Sequence, residues 1–231
     1  NVTINGGADD DEIYNGERYL DENENEIYNS GGDDVSINGS VGADSIFNYG
    51  LRAVIDGGDG NDEIGNEGKY SSLYGGAGDD TIYNEGDNVS ISGGAGNDSI
   101  ENYGSNVSIN GGADNDYVKN VGNLVSINAG AGADSISNTA SNVTINGDGD
   151  KDLFVTSGDN VLINGGESND TIYNLGDSTS INGGVGDDSI VNEGSNVSID
   201  AGENNDYIDN KAVQVIINAS AGADSISNIA S

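Results

Sequence analysis

The chain has 231 residues, with 41 Asp+Glu against 6 Lys+Arg, a formal net charge of −35, 38 Gly, and no Pro, Cys, Met, Trp or His. Without Cys or His it has no disulfide framework, no zinc site of the usual ligand types, no thiol nucleophile and no imidazole base. The charge argues against nucleic acid and anionic lipid as partners, and tight packing of such a chain calls for counter-charge from oxygen-preferring hard cations.

In chain order, residues 1–33 read as two irregular turns of a repeat. NVTINGGADDDEIYNG carries Asp11, and the stretch from Glu17 to Asp33 has lost the glycines except Gly31 and Gly32 at its end. From Asp34 to Ser231 the chain divides into eleven units of 18 residues without an insertion or deletion. Self-similarity of this kind marks a repeat architecture, and a disordered chain has no reason to keep such a register. Numbering each unit from position one at Asp34, position four is Ile or Leu and position eleven is always Asp. Position thirteen is Ile except at Val118 and Phe154, and position fifteen is Asn except at Thr156. GADSI recurs at Gly42, Gly132 and Gly222, so 52–141 and 142–231 read as two five-turn blocks of one solenoid spanning 1–231.

Each unit holds two short pieces of period-two alternation, V-S-I at positions two to four and D-S-I-x-N at eleven to fifteen. Each reads as a short strand with one face inward, bracketed by glycine turns in which positive φ is cheap. Two strands and two turns per 18 residues describe one coil of an all-β parallel solenoid, about 13 turns in all. The inward set is Val, Ile, Asp, Ile and Asn. Stacked carboxylates about 5 Å apart repel strongly and need a cation between them. The Asn column is expected to hydrogen-bond along the rod axis.

GGAGNDSIE at Gly93–Glu101 matches G-G-x-G-x-D-x-U-x, as do GGAGDDTIY at Gly75, GGDGNDEIG at Gly57 and GGVGDDSIV at Gly183. In these segments the chain resembles the RTX (repeats-in-toxin, hemolysin-type) family, as a one-sided variant with an 18-residue turn. The resemblance implies a right-handed parallel β-roll with Ca²⁺ between the loops of successive coils, held by glycine-loop carbonyls and the Asp carboxylate. Carried over residue by residue, the metal ligands are Asp11, Asp44, Asp62, Asp80, Asp98, Asp116, Asp134, Asp152, Asp170, Asp188, Asp206 and Asp224. In the other half of each coil Val stands where the family has Asp, as at Val89, Val107, Val125, Val143, Val161, Val197 and Val215. A single calcium column, along one edge only, is therefore expected. Loops that depart from the glycine pattern are those at Asp114, Asp148, Asp150, Ser168 and Asn204. Lys151 brings a competing charge, and DENENE at 21–26 is expected to bind nothing specifically.

Arg18, Arg52, Lys69, Lys119, Lys151 and Lys211 are scattered, and no cluster interrupts the repeat, so no catalytic residue is assigned and no enzyme is expected. The N-V-S/T tripeptides follow from the repeat itself. A Ser/Asn lattice on the V-S-I-N strand is interrupted at Val54, Asp56, Tyr74, Leu162 and Ile216 and lacks the repeating Thr of an ice-matching face. The expected role is a calcium-stabilised structural segment of a bacterial secreted or cell-surface protein, such as an adhesin, surface layer or extracellular filament. The alternative is the repeat domain of a secreted toxin or hydrolase whose catalytic part lies elsewhere. Partners are calcium ions, with head-to-tail self-association as a further expectation and neither nucleic acid nor membrane insertion.

Overall fold

The computed structural model describes residues 2–20, 26–30 and 32–229. Strands β1 (Val2–Ala8), β2 (Glu12–Leu20) and β3 (Glu26–Ser30) precede the regular repeat. Each later coil then supplies two strands, the first the longer of the two in every coil but the last. The first such pair is β4 (Val35–Val41) and β5 (Ser45–Asn48), and the last is β24 (Ile216–Asn218) and β25 (Ser225–Asn228). The longer strands stack into a 12-stranded sheet and the shorter ones into a 13-stranded sheet. Pairing from coil to coil is parallel and in register, as in Ile91↔Ile109 and Ile100↔Val118. This is the parallel β-solenoid that the 18-residue period implies. At about 4.8 Å per coil the rod is roughly 55 Å long.

The 12-stranded sheet gives twelve coils where thirteen were expected. The described residues before Asp34 make one coil rather than two. β1 pairs with β4 and β2 pairs with β5, but β2 runs on past Asn15 and pairs antiparallel with β3, Gly16 against Ser30 through Leu20 against Glu26. The stretch without glycines cannot make the tight solenoid corners and forms a hairpin instead. The expectation for DENENE concerns 21–26, of which 21–25 lie outside the described residues.

Inside the rod each coil contributes single-file columns. Val at position two and Ile at positions four and thirteen are buried throughout the middle of the chain, as with Val107, Ile109 and Ile100. Alternation places Ser and Asn of the longer strands outward. Two corners close each coil, and the second differs from the sequence expectation in how it turns. In the GGxG corner positive φ falls at positions seven and nine, for example Gly58 (114°) and Gly60 (137°). In the other corner it falls not on the glycine at position seventeen but two residues later, on position one of the next unit. Asp34, Arg52, Tyr70, Asn88, Leu124 and Gln214 all lie near φ 60° there. The glycine answers a steric demand: a Cβ on Gly86 would collide with the carbonyl oxygen of Gly68 in the preceding coil.

Four of the six basic residues tie coils together along the surface. Arg52 pairs with Asp34 at 2.7 Å, Lys69 with Asp87 at 2.7 Å, Lys119 with Glu101 at 2.9 Å and Lys211 with Glu193 at 3.0 Å. All are exposed pairs of the kind that contributes ~0–1 kcal/mol, so they trim repulsion without holding the rod.

Candidate metal column

Position eleven follows the GGxGx corner and immediately precedes the shorter strand, which turns its side chain into the rod. Asp44, Asp62, Asp80, Asp98, Asp116, Asp134, Asp152, Asp170, Asp188 and Asp206 are all buried, at 1–3% exposure. Asp11 and Asp224, in the two terminal coils, are half-buried. One carboxylate oxygen of each has a defined task. The backbone N–H of Asp44 donates to Oδ1 of Asp62 at 2.8 Å, that of Asp62 to Asp80 at 2.8 Å, and that of Asp80 to Asp98 at 2.8 Å. The ladder runs unbroken from Asp11 to Asp224.

The other oxygen has none. Oδ2 of Asp11 and of every column Asp from Asp44 to Asp206 is buried without a hydrogen-bond partner. An orphaned carboxylate oxygen costs several kcal/mol in a protein interior, and a column of them is not compatible with a stable fold unless something positive meets it. Burial accordingly drives the carboxyls from Asp62 to Asp206 up from the ordinary carboxylate range. Asp80, Asp116, Asp152 and Asp188 reach about 7, and Asp98 and Asp170 about 6, with desolvation as the leading cause. The ladder hydrogen bond opposes the shift, and neighbouring carboxylates of the column reinforce it at Asp80, Asp116, Asp152 and Asp188.

In the coils with glycine at position six the Oδ2 atom points at it, while Ala129, Ala201 and Ala219 stand there in three others. A Cβ on Gly57 would collide with Oδ2 of Asp62 and with the carbonyl oxygen of Gly75 in the next coil, and Gly75 and Gly93 repeat the arrangement. The absent side chain leaves a carboxylate oxygen and backbone carbonyls converging on one edge of the rod. Among the described residues no three acidic side chains come together, so an ion here must draw most of its ligands from backbone. Ca²⁺ takes six to eight oxygen ligands in a flexible geometry, and this donor set is oxygen only. The residues fit that ion.

The opposite edge is built differently. Asn102 Nδ2 donates to Asn120 Oδ1 at 2.8 Å and to the Gly104 carbonyl at 2.9 Å, and Asn84 donates to Asn102 at 2.8 Å. This is the expected axial ladder. It reaches Thr156, whose Oγ1 accepts from Asn138 at 3.1 Å, and resumes at Asn174. The Val column of that edge is buried in the core. Ser71 and Thr179, which replace Val there, are buried and donate to the carbonyls of Gly68 and Gly176, an accommodation that a reading of Val alone does not anticipate.

Lys151, expected to compete for the metal loop, is exposed, while Asp152 beneath it keeps both ladder bonds. The irregularity lies in the backbone. The N–H at position nine donates to the carbonyl at position eight of the next coil from Gly42 to Gly96 and again at Gly186 and Asn204. That run stops between Gly96 and Gly186, across the loops at Asp114, Asp150 and Ser168.

The nonapeptide pattern on this edge matches a known repeat, the RTX calcium-binding nonapeptide repeat, in four copies at residues 1–17, 71–91, 92–119 and 146–181. Over those residues the chain matches RTX repeats. The match at 146–181 includes the irregular loop around Lys151. Calcium is the ion these repeats bind, and oxygen donors gathered along one edge of the solenoid suit it. A solved structure similar to this chain is that of a hyperactive, Ca²⁺-dependent, β-helical antifreeze protein from an Antarctic bacterium. It has a TM-score of 0.61 and 22% identity, and the match covers 96% of this chain and 84% of that one. At that identity the likeness is one of fold. No curated protein matches the chain.

Proposed function

We propose that this RTX array is a calcium-stabilised structural segment of a bacterial secreted or cell-surface protein, an extender in an adhesin, surface layer or extracellular filament. The single observation that carries the reading is the buried column of partnerless Oδ2 atoms, one per coil from Asp11 to Asp206. In this reading Asp11, Asp44, Asp62, Asp80, Asp98, Asp116, Asp134, Asp152, Asp170, Asp188, Asp206 and Asp224 each give a carboxylate oxygen to calcium, with glycine-corner carbonyls completing the shell. The ion supplies the positive charge that lets these carboxylates stay ionised inside the rod. The chain's own residues do the rest: the Oδ1 ladder fixes each carboxylate, the position-six glycines leave room, and the Asn ladder holds the metal-free edge.

Folding is then tied to calcium concentration, because a −35 chain self-repels until the ions bind. Such a chain stays expanded where calcium is scarce and becomes a rod outside the cell. The ice activity of the similar β-helical protein is not adopted for this chain, since Tyr74, Leu162 and Ile216 break its outward Ser/Asn lattice and are exposed there. Small-angle scattering tests the reading. With calcium the radius of gyration should be about 20 Å, and in EGTA it should rise toward the ~50 Å of an unfolded chain of this length. An equally compact rod in both conditions would overturn it.

A further inference from the structure

Seven Asn-Gly pairs occur in the chain, and six of them fall in one column, at positions five and six of the coils that hold Asn5, Asn38, Asn110, Asn146, Asn164 and Asn182. Each of these Asn lies within the first, longer strand of its coil. Asn5, Asn110 and Asn182 are exposed and the other three are half-buried. The glycine that follows leaves room for the column carboxylate, as Gly39 does for Asp44 and Gly111 for Asp116. The same missing Cβ strips the glycine nitrogen of steric protection.

A backbone nitrogen so exposed can attack the Cγ of the Asn before it. The new C–N bond closes a five-membered succinimide, and the side-chain amide leaves as ammonia, taking the proton of the attacking nitrogen. Water then opens the ring at either carbonyl, giving Asp or isoaspartate, the latter with its main chain rerouted through Cβ and Cγ. Ring closure needs the Asn ψ turned out of the extended range. The folded rod opposes that turn, because parallel partners hold the strand extended on both sides, as at Ser92↔Asn110 and Asn110↔Asn128. Asp is a tolerated product: Asp56 and Asp200 already occupy position five, accepting from Asn38 and Asn218 at 3.2 Å. Isoaspartate lengthens the main chain and cannot keep register with its neighbours.

We propose that these Asn-Gly pairs are a self-modification site gated by calcium: the folded rod preserves them, and the unfolded chain converts them through succinimide to isoaspartate, after which the coil cannot re-form. The inference rests on the reading that calcium drives folding. Conversion follows the population of opened chain, as do other reactions of transiently unfolded segments. The column thereby limits how long a chain can wait unfolded before it meets the ion.

The test ages the protein at pH 8 in calcium, in EGTA, and in EGTA with urea. Peptide mass spectrometry reads a gain of about one mass unit per conversion, and electron-transfer fragmentation separates isoaspartate from Asp. Conversion at the six pairs should be at least about tenfold slower in calcium than in urea, with the EGTA rate close to that in urea. In urea Asn128, followed by Ala129 in the same column, should convert far more slowly than Asn110. Returned to calcium, EGTA-aged protein should regain less β signal than fresh protein, in proportion to its isoaspartate. A variant with Asn→Ser at the six positions, the residue already present at Ser92, should regain most of that signal after the same ageing. Equal rates in calcium and urea, or full recovery of β signal by chains bearing isoaspartate, would overturn the proposal. An EGTA rate as slow as the calcium rate, with the β spectrum intact in EGTA, would overturn the coupling of calcium to folding and the gate with it.

Discussion

At the scale of single residues, the buried carboxylate has opposite effects with and without its ion. Asp116 is 3% exposed, donates its N–H to Asp134 and accepts from Asp98 through Oδ1. Asp116→Asn keeps an acceptor for that bond and removes a charge that burial penalises. If Asp116 is the ligand proposed, the variant should melt higher than the parent in EGTA and lower in excess calcium, where one ligand oxygen has lost its charge. Thermal melts in the two buffers check the crossing, and a shift of the same sign in both would contradict it. Leu124 poses a separate residue-scale problem. It holds φ 60° where neighbouring coils place Asn106 and Asn142, and a left-handed conformation costs a branched side chain ~1–2 kcal/mol. Leu124→Asn should therefore stabilise the calcium-loaded rod by about 1 kcal/mol in denaturant titration. No change, or a loss, would mean that the exposed Leu124 side chain makes contacts outweighing its backbone strain.

At the scale of the element, the Asn ladder is two ladders meeting at Thr156. Thr156 is fully buried and accepts from Asn138, while the ladder resumes only with Asn174 donating to Asn192 at 2.7 Å. Thr156→Asn, nearly the same volume, should join the two and add roughly 1 kcal/mol, read as a higher melting temperature in calcium. An unchanged or lower melting temperature would show that the coil around Phe154 cannot admit the amide. The strands, the inward faces and this ladder were legible in the sequence because a strict 18-residue period superimposes like on like. Three features were not. The β2–β3 hairpin reads as a degenerate turn, since a stretch lacking glycine does not reveal that the chain leaves the solenoid and comes back. The role of the position-seventeen glycines depends on the carbonyl of the coil before, which no single repeat unit displays. The Asp column was legible as the proposed metal edge, but the division of each carboxylate into a bonded Oδ1 and an orphaned Oδ2 appears only once the coils are stacked.

At the scale of the whole molecule, the Asp column makes the fold respond to pH and calcium together. Folding raises the column carboxyls to about 6–7 at Asp80, Asp98, Asp116, Asp152, Asp170 and Asp188, above their unfolded value of 3.8. A raised folded pKa favours the fold when protonated, so this contribution is fully present below the unfolded value and is lost as pH rises through about 6–7. Metal-free protein should therefore gain β-structure on acidification from pH 8 to pH 5. Calcium affinity should fall over the same interval as protons compete for the carboxylates. A metal-free spectrum indifferent to pH across that range would remove the buried column from the account. The central claim, that the ion completes the fold, is tested most directly by far-ultraviolet circular dichroism of EGTA-treated protein during titration with Ca²⁺ at pH 7.5, with Mg²⁺ in parallel. The account predicts a cooperative gain of β signal with Ca²⁺ and none with Mg²⁺, which demands a tighter octahedral shell than these corners offer. A β spectrum already complete in EGTA and unmoved by Ca²⁺ would contradict it.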